Sequence, residues 1–214
     1  MIEPPRALSH SALHAGTRVL VALDSRLGAV VSRLGMPPMF ARRPGFAALV
    51  RIILEQQVSL ASALTIYRRL GLHAGGITPE SIAALEIAGL REFGLTRQKA
   101  AYCHGLAVRV LDGRLDLSAV ARAGGESART MLLEVPGIGP WSVDIYFLMA
   151  LRRPDVWPQG DLALAVAMRE VRALRRLPSR EQQHKIAIRW APWRSVAARI
   201  LWMHYLARAR EAAK

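Results

Sequence analysis

Ten consecutive residues leave this chain little choice of local structure: Leu132-Leu133-Glu134-Val135-Pro136-Gly137-Ile138-Gly139-Pro140-Trp141. Leu132 and Leu133 continue a helical apolar pattern. Pro136-Gly137-Ile138-Gly139 is a Pro-Gly-x-Gly turn, and an aromatic-rich helical pattern follows from Trp141. The stretch reads as a helix, a tight hairpin and a second helix. Gly137 and Gly139 are both read as free to take positive φ and to leave backbone N–H groups uncovered. Such groups at a helix N-terminus suit a phosphate oxygen. Twenty residues after Trp141, the string Trp157-Pro158-Gln159-Gly160-Asp161 places one carboxylate just before another helical pattern. A phosphate-gripping hairpin followed by an acid points to chemistry on nucleic acid.

The rest of the chain is helical in pattern. Apolar residues recur at helical spacing over 7–34, 46–56, 59–70, 79–88, 97–111, 127–134, 141–151, 162–176, 180–190 and 193–209. Gly71, Gly94 and Gly113 follow helical patterns. Thr78-Pro79-Glu80 and Pro178-Ser179-Arg180-Glu181 read as helix starts. No segment alternates long enough to form a sheet, so the expected fold class is all-α. Two Pro- and Gly-rich stretches, Met36-Pro37-Pro38 through Gly45 and Arg152-Arg153-Pro154 through Gly160, mark candidate hinges. They predict a central lobe over 44–153 and a second lobe built from 1–43 plus 154–214. Asp161 would then fall at an active-site cleft between the two lobes, where ligand pockets concentrate.

Charge narrows the partner. The 30 basic and 16 acidic residues leave a net charge of +14, while 52% of the chain is hydrophobic. This is a folded protein with a strong pull on polyanions. The basic residues are 27 Arg and 3 Lys. Cys103 is the only cysteine, which excludes an internal disulfide, a CxxC zinc site and a four-cysteine iron–sulfur cluster. It is expected to be a buried small hydrophobe. Of the six histidines only His10 and His14 stand at i, i+4, with no further ligand nearby, so no metal site is expected from side chains. The N-terminus lacks a signal-peptide pattern and no apolar run is long enough for a bilayer. The expectation is a cytoplasmic, nucleoid-associated monomer.

Four constellations carry candidate chemistry. The hairpin Pro136, Gly137, Ile138 and Gly139 would hold phosphate without reading sequence. Asp161 would cap the helix that starts at Leu162, and Leu164 at its third position cannot complete a capping box. The same carboxylate could act on a deoxyribose; the two roles are compatible. Trp141, Trp190, Trp193 and Trp202, with Tyr146, are core candidates by spacing. They are also what a pocket for an extruded base would use. In Ile53-Leu54-Glu55-Gln56-Gln57-Val58-Ser59, Gln56 and Ser59 are candidates to cap or bridge helices. Gln57 is a candidate to protrude and fill the gap an extruded nucleotide leaves.

Together these residues resemble the helix-hairpin-helix DNA glycosylases, and within them the 3-methyladenine DNA glycosylase II branch. The matching strings are Ile52 through Ser59, Leu133 through Trp141, Gly160-Asp161-Leu162, and Trp190-Ala191-Pro192-Trp193-Arg194-Ser195, with Trp202 beyond. The resemblance implies a compact form without the N-terminal β domain of the larger bacterial enzyme. It implies Asp161 as the essential acid, Gly137, Ile138 and Gly139 as the phosphate-binding hairpin, and Trp141 and Trp202 in the base pocket, which Tyr146 joins as a candidate from its place on the hairpin's second helix. It implies Gln57 as the wedge in the DNA stack, where the larger enzyme has an apolar residue. No cofactor is required, although a cation held by hairpin backbone carbonyls is allowed. Relatives that also cut the backbone carry a nucleophilic Lys where Trp141 stands, so base release without lyase activity is implied. The implied partner is duplex DNA with alkylated purines. A related enzyme for a deaminated or mismatched base remains an alternative, as do a non-catalytic DNA-binding module and a helical small-molecule regulator.

Overall fold

The computed structural model describes residues 5–212. Among them are thirteen α-helices and no strand. The chain divides into two compact units, Arg42–Tyr146 and a unit formed by Met1–Ala41 with Phe147–Lys214. The sequence placed these divisions after residues 43 and 153.

The terminal unit begins with α1 (His10–Leu23) and α2 (Ser25–Leu34). The sequence pattern ran unbroken through this region, but the chain turns at Asp24. Its side chain accepts from the Arg26 N–H and so caps α2. The same carboxylate receives the Arg172 guanidinium and the Trp190 indole N–H. A polar side chain satisfied three ways outweighs one more turn of helix. Further on come α11 (Leu162–Val171), α12 (Arg180–Ala187), a 3₁₀ turn at Ile188–Trp190 and α13 (Arg194–Ala212). The start at Ser179 is a full capping box with Gln182.

The first half of α13 is enclosed on every side: Ser195 through Trp202 are all buried, Arg199 included. This makes α13 the axis of the unit. The string around Trp193 anchors it. Trp193 fills the space beside Gly16, where a Cβ would lie 2.6 Å from the indole. Arg194 grips Asp155 with Nε and Nη2 at 2.7 and 2.8 Å, and the Ser195 Oγ accepts from Val156 N–H at 2.9 Å. The loop leading to Asp161 is thereby fastened to the start of α13.

The central unit comprises α3 (Phe46–Glu55), α4 (Leu60–His73), α5 (Pro79–Ala84), α6 (Glu86–Glu92), α7 (Arg97–Leu111), α8 (Leu117–Arg122), α9 (Gly125–Leu133) and α10 (Pro140–Ile145). Thr78 and Ser81 form the expected cap of α5. The pattern predicted one helix to residue 88, whereas Glu86 has φ +53 and the chain restarts as α6. Gly71 lies inside α4 rather than ending it. Helix α8 was missed, because six residues carry too little periodicity to show. Cys103 is fully buried on α7, and burial pushes its thiol up to about 12. After α10 the chain runs on as a π-helical turn, Tyr146–Ala150, where one continuous helix was expected. Among the described residues no helix is long and apolar enough to cross a membrane.

Candidate active site

In the central unit α9 and α10 form the expected hairpin. Ile138 N–H closes onto Val135 O at 3.0 Å, and Ile138 is buried. Gly137 sits at φ +88, and a Cβ there would lie 2.3 Å from Tyr102 Cγ. Glycine is therefore required twice, by backbone conformation and by the aromatic ring against it. Gly139, equally free to take positive φ, does not use that freedom. Its φ is −94 with ψ 178, an extended N-cap conformation, and a Cβ there would meet nothing within 4 Å. Nothing in the fold demands glycine at 139. As the N-cap of α10 it contributes no side-chain hydrogen bond, and Pro140 follows. Arg129 on α9 pairs with the buried Asp144 on α10 at 2.5 Å, clamping the two arms.

Gln56 bridges as expected, with the hairpin as its partner. Its Nε2 donates to Gly137 O at 2.9 Å and to Ser142 Oγ at 3.0 Å. Ser59 caps α4. Gln57 is exposed and adopts φ +57, a left-handed conformation rare for a residue with a Cβ. Val58 and Leu60 beside it are exposed too. Trp141 is half-buried at the start of α10. Tyr146 is fully buried, and its hydroxyl accepts the Gly45 N–H at 3.0 Å. In this arrangement it packs in the core and secures the start of α3. The carbonyls of Val135, Gly137 and Gly139 accept from Ile138 N, Gln56 Nε2 and Val143 N. A carbonyl has two lone pairs, so a cation at the hairpin would share these oxygens.

In the terminal unit Asp161 is 8% exposed and caps α11. Its Oδ1 accepts from Leu164 N–H at 2.9 Å and from the Trp202 indole N–H at 3.3 Å. The candidate acid and one candidate aromatic thus share a hydrogen bond although 41 residues separate them. Gly160 precedes Asp161 at φ +77, with the Arg180 guanidinium 3.2–3.4 Å from where a Cβ would be. Leu162, next after the acid, is 67% exposed. Trp190 and Trp193, left open between core and pocket, are core residues, 1% and 2% exposed.

Sequence reasoning missed Phe40. Its ring stands edge-on to Trp202, 6.3 Å between centroids and 85° between planes. Its φ of +49 is again left-handed. The buried Arg199 holds the preceding carbonyl, Met39 O, at 2.7 Å. One aromatic in a proline-rich stretch gave no sign of this, since its partner lies on the last helix. His204 is accounted for by Arg33 and Glu170, each at 3.0 Å.

The family model of the HhH-GPD superfamily of base excision DNA repair proteins matches residues 50–192, a span holding the hairpin and Asp161. This chain belongs to that superfamily. Among HhH-GPD relatives, DNA-3-methyladenine glycosylase 2 of Escherichia coli is 29% identical over 189 residues, covering 80% of this chain and 63% of that protein. DNA-3-methyladenine glycosylase of Bacillus subtilis is 26% identical over 181 residues, covering 79% and 58%. The chain therefore spans less than two thirds of the length of either. The solved structure of Schizosaccharomyces pombe 3-methyladenine DNA glycosylase in complex with abasic DNA superposes with a TM-score of 0.82 at 25% identity, covering 88% of this chain and 95% of that one.

Proposed function

We propose that this chain is a DNA glycosylase that releases alkylated purines of the 3-methyladenine and 7-methylguanine type from duplex DNA, leaving an abasic site. The observation that carries the reading is the Asp161–Trp202 pair: a carboxylate oriented by two N–H donors, one of them on an aromatic ring that a base can stack on. Alkylation at N3 or N7 makes the purine cationic, so it leaves without being protonated. A cationic base stacks well on an indole face. As the C1′–N bond breaks, positive charge develops on the sugar. Asp161 stabilises that charge and orients or deprotonates the attacking water, which adds to C1′ as the neutral base departs. One carboxylate suffices for this sequence.

The other roles are assigned in the same way. Gly137, Ile138 and Gly139 grip phosphate, Trp141 offers a second aromatic surface, and Gln57 fills the stack. A cation shared by the hairpin carbonyls, when bound, would add positive charge beside the phosphate. Trp141 stands where a lyase would need its amine, so the backbone is left uncut. The reading has a direct test: free base and strand breaks measured after incubation with methylated duplex DNA. Methylated purines released without β-elimination products are expected. Intact substrate, or strand cleavage at enzyme-made abasic sites, would overturn it.

The two hairpin glycines separate fold from function. Ala at 139 is compatible with the observed φ, and the entropy gained offsets a weaker N-cap, so stability should stay within about 1 kcal/mol. Yet its methyl group would stand where a phosphate must approach. We expect Gly139→Ala to weaken binding to an abasic-site duplex by about tenfold, roughly 1.4 kcal/mol. Gly137→Ala should instead cost about 2–4 kcal/mol in folding, from positive φ and the collision with Tyr102. Calorimetry beside a binding titration would check both. Unchanged affinity in the Gly139 variant would remove the phosphate from this end of the hairpin.

A further inference from the structure

The turn that carries Gln57 is held by a residue that the mechanism above does not use. Helix α3 ends at Glu55, Gln56 is extended, and Gln57 turns left-handed at φ +57. Lys99, in the first turn of α7, donates from Nζ to Leu54 O and to Gln56 O, both at 2.7 Å. These two carbonyls belong to the end of α3 and to the residue just before the turn, the place where a helix leaves acceptors unsatisfied. The Gln56 side chain is meanwhile fixed to Gly137 O and Ser142 Oγ. Gln56 is thus pinned by its main chain on one side and its side chain on the other.

The same helix supports the hairpin. Tyr102, three residues after Lys99 and so on a neighbouring position of α7, is the ring that lies against Gly137. Its hydroxyl accepts from Gln98 Nε2 at 2.7 Å. One turn of α7 therefore braces both the Gln57 turn and the hairpin within the central unit. The residue choice is pointed. This chain uses Arg for 27 of its 30 basic residues, yet has Lys here. A compact ammonium can direct its N–H groups to two converging carbonyls, which a planar fork does less well. Burial lowers the pKa of Lys99, with Cys103 working in the opposite direction, and the two carbonyls accept its N–H groups.

We propose that Lys99 is a positioning residue for Gln57: it holds the left-handed turn rigid so that Gln57 can enter the DNA stack against the pull of the neighbouring bases. This rests on the wedge role given to Gln57 above. Extruding a paired nucleotide works against pairing and stacking, and a wedge on a frayed helix end would yield. Without the Nζ bonds, Leu54 O and Gln56 O turn to water and Gln57 can relax from its strained φ.

The test separates extrusion from chemistry. Wild type, Lys99→Met, Lys99→Arg and Gln57→Ala would each be mixed with a duplex carrying 2-aminopurine paired with thymine, and its fluorescence followed. Base release would be measured in parallel from 7-methylguanine paired with cytosine and from 7-methylguanine opposite an abasic-site analogue, where little pairing resists extrusion. Lys99→Met keeps the stem and removes the charge. We expect it to lose most of the fluorescence response, and to release the paired base at least about tenfold more slowly while the unpaired base falls by less than about threefold. Lys99→Arg should restore part of both, and combining Lys99→Met with Gln57→Ala should be no worse than Gln57→Ala alone. Equal losses on both substrates, or additive effects in the double variant, would overturn the positioning role. A wild type that gives no fluorescence response would instead sink the wedge reading itself, and one that extrudes without releasing base would sink the alkylpurine chemistry alone. Should Lys99→Met unfold, Lys99→Gln offers the same comparison with one donor group kept.

Discussion

Asp161→Asn is expected to fold, to bind abasic-site DNA as tightly as wild type, and to release base about 10²–10⁴-fold more slowly. The expectation follows from the contacts. Asparagine retains an Oδ1 that accepts from Leu164 N–H and the Trp202 indole, so the cap of α11 and the placement of the ring survive. The negative charge is lost, and with it the group that meets the developing charge on the sugar. Asp161→Ala removes the cap as well and should cost about 1 kcal/mol of stability on top of activity. Measuring thermal midpoint, abasic-site affinity and single-turnover release on the three proteins separates these effects. Wild-type turnover by the Asn variant would remove Asp161 from the chemistry and leave it as a helix cap.

Arg199→Met should produce the largest loss of stability of any single polar substitution in the terminal unit. The guanidinium is fully buried and donates to Met39 O, Ser195 O and Leu148 O at 2.7, 2.9 and 2.8 Å. Burial, with repulsion from Arg152 added, pushes its pKa down to about 10. That value is still far above neutrality, so the group stays charged and its bonds do not change through the neutral pH range. Methionine fills a similar length but abandons three buried acceptors. Each unsatisfied group costs about 1–3 kcal/mol, so a loss of about 3–5 kcal/mol is expected after relaxation. For a chain of this size that lowers the thermal midpoint by roughly 6–20 °C. Activity should fall too, because Met39 leads into Phe40, whose ring meets Trp202. Arg199→Lys should recover little, since an ammonium cannot span three separated carbonyls. A midpoint within about 2 °C of wild type would show that water replaces the lost donors and that Arg199 is no keystone.

Much of the architecture was legible because it is local. Helix starts at Thr78 and Ser179, the hairpin after Leu133 and the burial of Cys103 follow from residue type and spacing alone. The helix over 97–111 appears with the bounds its pattern set. Where the reading failed, a distant partner had intervened. Asp24 breaks a long helical pattern because Arg172 and Trp190 claim its carboxylate. The helix after Trp141 loosens into a π turn at Tyr146–Ala150, where Arg199 takes the carbonyl of Leu148. Of the two hairpin glycines free to take positive φ, only Gly137 does so; Gly139 is extended.

The same division runs through the candidate site. The sequence by itself determined which chemistry is available: one acid at a helix start, a glycine hairpin able to expose backbone donors, an exposed amide at a turn and a basic surface. Those properties belong to single residues and their immediate neighbours, so no folding is needed to see them. Only the tertiary structure decided how the residues are held. Trp202 meets Asp161, Phe40 meets Trp202, Arg199 binds the carbonyl before Phe40, and Lys99 closes the end of α3. Each of these pairs lies far apart in the chain, and hydrogen bonding and ring packing leave no periodic trace in sequence. Local preference sets what each segment can be; packing selects which side chains meet.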